Sequence, residues 1–290
     1  MSDSPMIRQE HGVHASVSGR QRWPGLTHVG LSLRWETEPG WIAMSFDAPT
    51  LLVATSELGG RCQVRAEPGC PTDGEYVGTG HLSLITPAQT AVVHAVEMRE
   101  ARIGCFMIDL ATADYLPPPH TAALSAAGSR FMFKDDRVYT CASLLSASAD
   151  SAGPFQTSLS RALLAALVGV SSRPVRAPGG AKLTGEPLAR VLAHISDYLD
   201  QTITIDELAD LAGMAAGAFS RAFRDVTGQS PQRWQMDARV RGAQRLMIDD
   251  PSGSLAEVAV LTGFADQSHF SRAFLDIVGL TPTTWLHQRP

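Results

Sequence analysis

A chain of 290 residues is long enough for two ordinary domains, and 44% apolar with 18% charged residues is the composition of a globular protein rather than a disordered or fibrous one. Its 24 Lys and Arg against 29 Asp and Glu leave a net charge of −5, so no bulk positive field announces a polyanionic partner. The first thirty residues hold no continuous apolar core of a secretory signal, and "ALLAALVGV" (Ala162 to Val170) is too short to span a bilayer, so a cytoplasmic protein without a membrane partner is expected.

Residues 1–22 carry polar and charged positions and are expected to form a flexible N-terminus. The first domain then covers 23–170. Between Thr50 and Ala111, "TLLVAT", "HLSLITP", "TAVVHAV" and "RIGCFMI" are short apolar runs separated by Gly, Pro, Asp and Thr at hairpin-like intervals, which predicts the strands of a sandwich or small barrel. Further on the period becomes helical. Val138, Cys141, Leu144 and Leu145 predict one helix, and Leu159, Leu163, Leu164 and Leu167 a second, with Pro154 near its start. Cys62, Cys70, Cys105 and Cys141 show no C-x-x-C spacing and are expected to be reduced structural thiols rather than a disulfide framework or zinc site.

"SSRPVRAPGGAKLTGEP", beginning at Ser171, replaces the apolar pattern with Pro, Gly, Ser and charge, which predicts an inter-domain linker over 171–185. Everything after it is helical. Leu188, Val191, Leu192, Ile195 and Leu199 form one apolar stripe on a helix from Glu186 to Asp200. In "TIDELADLAGM" and "SLAEVAVLTGF" Thr204 and Ser254 are expected to cap short helices, with Glu207 and Glu257 three residues on, and Gly213 and Gly263 end them.

The segment "AFSRAFRDVTGQSPQRW" (Ala218 to Trp234) returns fifty-one residues later as "HFSRAFLDIVGLTPTTW" (His269 to Trp285). Each copy buries two Phe, ends at Gly228 or Gly279, and restarts at Ser230-Pro231 or Thr281-Pro282. Two copies are too few for a solenoid and fit a pair of matched surfaces. A capped short helix, a glycine turn and a second helix with one face free is the helix-turn-helix plan, whose second helix enters the DNA major groove. Between the copies, Pro231 to Met247 predicts a helix of roughly 17 residues, about 25 Å long, a strut of the order of the 34 Å between successive major grooves.

These segments, with "IDELADLAGM", "RWQMDARVRGAQRLM" and "EVAVLTGFADQSHFSRAFLDIVGLTPTTW", resemble the DNA-binding domain of the AraC/XylS family of bacterial transcription regulators over the last hundred or so residues, 186–290. The resemblance implies seven helices with two helix-turn-helix units joined by a central helix. The N-terminal region resembles the cupin-like sensing and dimerisation domains often found in that family. The implied fold is therefore α+β with two domains, a mainly β cupin-like domain with following helices and an all-α DNA-binding domain. The implied partners are double-stranded DNA, a small-molecule effector, a second copy of the chain, and RNA polymerase if the protein is an activator. No cofactor is expected.

Helix geometry assigns roles within that resemblance. Asp266 is expected to cap the second reading helix, leaving Gln267, Ser268, His269, Ser271 and Arg272 near its exposed start, where Gln can pair with adenine and Arg with guanine. In the first unit Ala215 stands at the cap position, followed by Ala216, Gly217 and Ala218, so few side chains there can read bases. That unit is expected to make phosphate or shape contacts through Ser220, Arg221 and Arg224. Against a DNA reading, 181–290 holds 10 Lys and Arg to 13 Asp and Glu, a net of −3. Arg233, Arg239, Arg241 and Arg245 crowd the joining helix, where they can meet phosphate or pair with Asp206, Asp210 or Asp237.

Two other classes compete. A metal-dependent cupin-like enzyme would need clustered ligands, and His81, His94, Glu97 and Glu100 include no H-x-H pair. "GTG" (Gly78 to Gly80) lacks the third glycine of a dinucleotide site, and no G-x-S-x-G turn occurs. No catalytic residue or metal ligand is therefore expected. A protein-interaction module without DNA would leave the two matched FSRAF copies unexplained.

Overall fold

Strands occupy most of the segment expected to be flexible: β1 (Met6–His11) and β2 (Val13–Trp23). The computed structural model describes residues 5–36, 40–66, 80–87, 89–96, 98–147, 153–172, 183 and 185–287. β2 escapes a pattern search because it is an edge strand whose side chains are mostly exposed and polar, with only Val13 and Trp23 buried. Its backbone ladder orders it instead, running antiparallel to β3 (Leu26–Trp35) from Val13 opposite Trp35 to Trp23 opposite Leu26.

The following strands are β4 (Gly40–Ser45), β5 (Thr50–Leu58), β6 (Arg61–Arg65), β7 (Leu82–Ile85), β8 (Ala91–Val96) and β9 (Glu100–Ile108). Then come α1 (Pro118–Ser125), β10 (Arg130–Phe133), α2 (Asp136–Ala147) and α3 (Pro154–Ser171). All four predicted apolar runs and both predicted helices are present. α1 has no counterpart among the predicted elements; Pro118 and Pro119 are accommodated in its first turn, where a missing N–H has no helical partner to lose.

The strands form a four-stranded sheet, in the order β1-β4-β8-β6, and a six-stranded one, β10-β7-β5-β9-β3-β2. One apolar core lies between them, where Leu31, Leu33, Leu52 and Ile103 of the larger sheet meet Ile42, Met44, Val64 and Val93 of the smaller. A second core covers the other face of the larger sheet, with Leu51, Val53, Phe106 and Ile108 packed on Val138, Leu145, Leu163 and Leu167 of α2 and α3. β5 is thus buried on both faces, which is why "TLLVAT" is apolar at consecutive positions instead of alternating. Cys62 and Cys105 are buried free thiols and Cys141 is a half-buried one, the Cys105 thiol being pushed up to about 12 by burial; Cys70, like most of the predicted linker, lies outside the described residues.

By internal contacts the chain divides into two compact units, Met1–Glu57 with Arg61–Gly179, and Gly180–Pro290 with Leu58–Gly60. The second contains seven helices among its described residues: α4 (Glu186–Asp197), α5 (Ile205–Leu211), α6 (Ala216–Thr227), α7 (Pro231–Asp249), α8 (Leu255–Leu261), α9 (Gln267–Val278) and α10 (Pro282–His287). α4 stops three residues earlier than its apolar stripe suggests. The chain leaves the helix so that the carbonyls of Leu199 and Gln201 face Arg239 of α7, whose guanidinium donates to them at 2.9 and 2.8 Å. No described helix is long and apolar enough to cross a membrane.

Candidate nucleic-acid interface

α5 and α6 form the first helix-turn-helix. The Thr204 hydroxyl accepts from the Glu207 amide at 3.2 Å, which starts α5 as its sequence predicts. α4 holds α5 in place, with His194 Nε2 2.8 Å from the Glu207 carboxylate and Arg190 donating to the Leu211 carbonyl at 3.1 Å. The stop is a doubled turn: Met214 N–H donates to the Ala209 carbonyl at 2.9 Å and Gly213 N–H to Asp210 at 3.0 Å, with Gly213 at φ +65. Phe219 and Phe223 of α6 are fully buried, their rings 5.5 Å apart, and the Phe223 ring lies 5.8 Å from that of Trp234.

α8 and α9 repeat this geometry. Phe264 N–H donates to Ala259 at 2.9 Å, Gly263 sits at φ +78, and the Phe270–Phe274 and Phe274–Trp285 rings are 5.5 and 5.6 Å apart. The matched surfaces therefore rest on matched aromatic cores, each closed by a left-handed glycine, Gly228 at φ +72 or Gly279 at φ +81. Two details differ from the sequence expectation or between the units. Ser254 has the extended backbone of a cap, yet its hydroxyl makes no bond with α8; only its carbonyl joins the helix, accepting from Val258. The turn of the second unit is one residue longer, and this places Asp266 at the start of α9, where its carboxylate accepts from the His269 amide at 2.7 Å. In α6 Ala215 supplies no such bond.

At the start of α9, Gln267, Ser268 and Arg272 are exposed and Ser271 is half-buried. Arg272 lies back along its own helix, donating to the Ser268 carbonyl at 3.3 Å, in the direction that helical side chains point. His269 is less free. It is half-buried, with its ring edge-on to Phe264 at 5.3 Å, a packing partner that the sequence did not reveal. On α6, Arg221 and Arg224 are exposed and Ser220 is half-buried, while Ala216, Gly217 and Ala218 leave its first turn almost without side chains. Where α6 has Arg224, α9 presents Leu275, 47% exposed.

The arginines of α7 divide by partner. Arg233 bridges Asp276 of α9 at 2.6 Å and Asp237 at 3.4 Å, which raises its pKa. Asp276 was not among the three carboxylates expected; it comes within reach because α9 packs against α7. Arg239 holds the end of α4 as described, and burial lowers its pKa. Arg241 stacks over the Trp234 ring at 5.8 Å. The joining helix is 19 residues, about 28 Å at 1.5 Å per residue.

Elsewhere, His81 is buried, 3.6 Å from the Glu57 carboxylate, and His94 is half-buried on β8 opposite Gln63. Glu97 lies outside the described residues, as do Gly78 and Thr79 of the "GTG" segment, of which Gly80 alone is described. No group of three or more His, Cys, Asp or Glu able to hold a metal gathers among the described residues.

Residues 208–288 match a family model described as a helix-turn-helix domain. The chain is similar to the probable transcriptional regulator LumQ of Photobacterium leiognathi, 33% identical over 92 residues, which cover 32% of this chain and 37% of LumQ. It is also similar to the HTH-type transcriptional regulator RipA of Corynebacterium glutamicum, 34% identical over 116 residues, 40% of this chain and 32% of RipA. The chain thus spans about a third of the length of these curated relatives. Among solved structures, the DNA-binding domain of AdpA in complex with a target DNA shares 31% identity, with a TM-score of 0.33, over 36% of this chain and 92% of that one. With the two FSRAF units and their joining helix, the family match and the curated relatives identify the C-terminal unit as an AraC/XylS-type helix-turn-helix domain.

Proposed function

We propose that the protein is a bacterial, cytoplasmic, sequence-specific transcription regulator in which the two helix-turn-helix units do different work on double-stranded DNA. The observation that carries this is the contrast between the starts of α6 and α9. Gln267, Ser268 and Arg272 are exposed on a capped helix, supported by Ser271 and His269, and these side chains suit base edges in the major groove. The start of α6 bears Ala, Gly and Ala, and no cap carboxylate engages its first amides. Such an end suits a phosphate, with Arg221, Arg224 and Ser220 beside it. The domain's net negative charge is offset locally, because the two second helices themselves carry exposed arginines, Arg221 and Arg224 on α6 and Arg272 on α9.

The N-terminal unit is assigned sensing and dimerisation: a small molecule bound there alters the availability of the DNA-binding unit, a coupling that must act in both directions. An activator would in addition engage RNA polymerase. Selection of bound DNA from a random-sequence pool at two salt concentrations tests the reading. The expected result is an enriched motif with one dominant block, weakening steeply as salt rises. No enrichment, with or without small-molecule extracts, together with binding indifferent to salt, overturns it.

A further inference from the structure

The outer face of the six-stranded sheet is apolar where α2 and α3 cover it and polar beyond the last turn of α2. There an open basin of about 450 Å³ lies among β2, β3, β9, Thr55 of β5 and the end of α2. Its volume is in the range of small-molecule sites. It lies on the helix-facing side of the sheet, outside the core enclosed by the two sheets.

Three local features build it. Gly104 admits a contact between α2 and the sheet, since a Cβ there would stand 2.9 Å from Ser146 Oγ and 3.3 Å from His28 Nε2. The register of β2 shifts between Ser18 and Arg20, with Gly19 at φ +56, so the strand forming one wall kinks beside the basin. His28 stacks on Phe106 at 4.6 Å and sets its two ring nitrogens toward opposite walls, each 3.3 Å from a partner, Gln21 Oε1 and Ser146 Oγ. Both contacts are longer than the usual range of roughly 2.7 to 3.2 Å, and the Ser146 hydroxyl, with one donor and two acceptor sites, has capacity for a ligand beside His28. Burial holds the His28 pKa down to about 4, so the imidazole is neutral at physiological pH and both donates and accepts.

The charge pattern selects the ligand. Arg102 is the one charged side chain lining the basin among the described residues; it is exposed and makes no ion pair with any of them. The other polar groups are hydroxyls, one amide and the neutral imidazole. A guanidinium fork takes a carboxylate in two parallel hydrogen bonds, and neutral donors and acceptors take hydroxyls. We propose that this basin binds a small hydroxycarboxylate, its carboxylate on Arg102 and its hydroxyls toward His28, Gln21 and Ser146. The site's regulatory meaning rests on the effector-responsive reading above; its occupancy does not.

Calorimetric titration of the full-length chain with lactate, malate and citrate, and with glycerol and erythritol as uncharged controls, tests the site. At least one hydroxyacid is expected to bind with a Kd of about 1 mM or tighter, and the polyols are not. Arg102→Gln, at an exposed position, should weaken binding about tenfold or more. Ser32→Asp places a carboxylate opposite Arg102 in the β3–β9 register and should abolish binding while keeping the circular dichroism of the wild type. Binding by none of the hydroxyacids, equal binding of the polyols, or affinity that survives both substitutions overturns the site. DNA selection separates the two readings: an enriched motif without hydroxyacid binding leaves the regulator and removes the basin, and hydroxyacid binding without DNA enrichment does the reverse.

Discussion

The two helix-turn-helix units share their buried half and differ in their exposed half. Phe219, Phe223 and Trp234 repeat as Phe270, Phe274 and Trp285, with ring separations that agree within a few tenths of an ångström. Their first turns instead pair Ala215, Ala216, Gly217 and Ala218 with Asp266, Gln267, Ser268 and His269. The lesson is that packing sets the scaffold while the face left over is free to specialise. A core position must fit several neighbours at once, whereas an exposed first turn answers only to helix stability and to whatever it touches.

The largest expected difference lies in the turns. Gly213 and Gly263 occupy the same left-handed position, but a Cβ at Gly263 would run into the Leu199 carbonyl, and one at Gly213 would meet nothing within 4 Å. Gly213→Ala is therefore expected to carry only the conformational penalty, about 1 kcal/mol, and Gly263→Ala that penalty plus a backbone clash, about 2 to 4 kcal/mol in all. Urea unfolding of both variants measures this. Equal losses would mean that the two turns are equivalent and that the end of α4 yields freely.

Next in size is the contrast between equivalent arginines. Arg272→Ala is expected to cost about 1 to 3 kcal/mol on the preferred site and to relax base preference in one block. Arg221→Ala should weaken all sequences similarly and lower the salt slope by about 1. Binding to selected and scrambled duplexes over a salt series distinguishes them. A greater loss of sequence preference from the Arg221 change would invert the assignment of the two units.

Much of this was legible in the sequence where burial imposes a period. β5 and β9 announced themselves through continuous apolar runs, and α2, α3 and α4 through helical stripes, because those residues face a core. β2 was not legible, since an edge strand held by its ladder needs no apolar alternation, and the segment was expected to be flexible. The repeat and its flanking segments revealed both helix-turn-helix units and their glycine stops, and helix geometry within the family resemblance gave the Asp266 cap. Neither revealed that Arg233 reaches Asp276, that His269 packs on Phe264, or that Ser254 leaves its hydroxyl off the helix. Those depend on the rotamers and approach of elements far apart in sequence, which no local pattern encodes. The basin at His28 was equally silent: its residues come from β2, β3, β5, β9 and α2, and no two adjacent ones form a motif.

The smallest effect gives the sharpest test of specialisation, because it predicts opposite signs for stability and binding. Asp266→Ala removes a cap that accepts from the His269 amide and should cost about 1 kcal/mol of stability. Ala215→Asp supplies the missing cap to α6, whose N-terminal dipole also favours an anion, and should add about 1 kcal/mol. If the open start of α6 receives a DNA phosphate, that same carboxylate occupies the amides and repels the backbone, so affinity should fall roughly three- to tenfold as stability rises. Thermal unfolding and duplex titration of the one variant read both quantities. A chain that is stabilised and binds no worse would show that the bare first turn of α6 is simply a poor helix start; one that is stabilised and binds less well would tie its lack of side chains to the phosphate it is left open to accept.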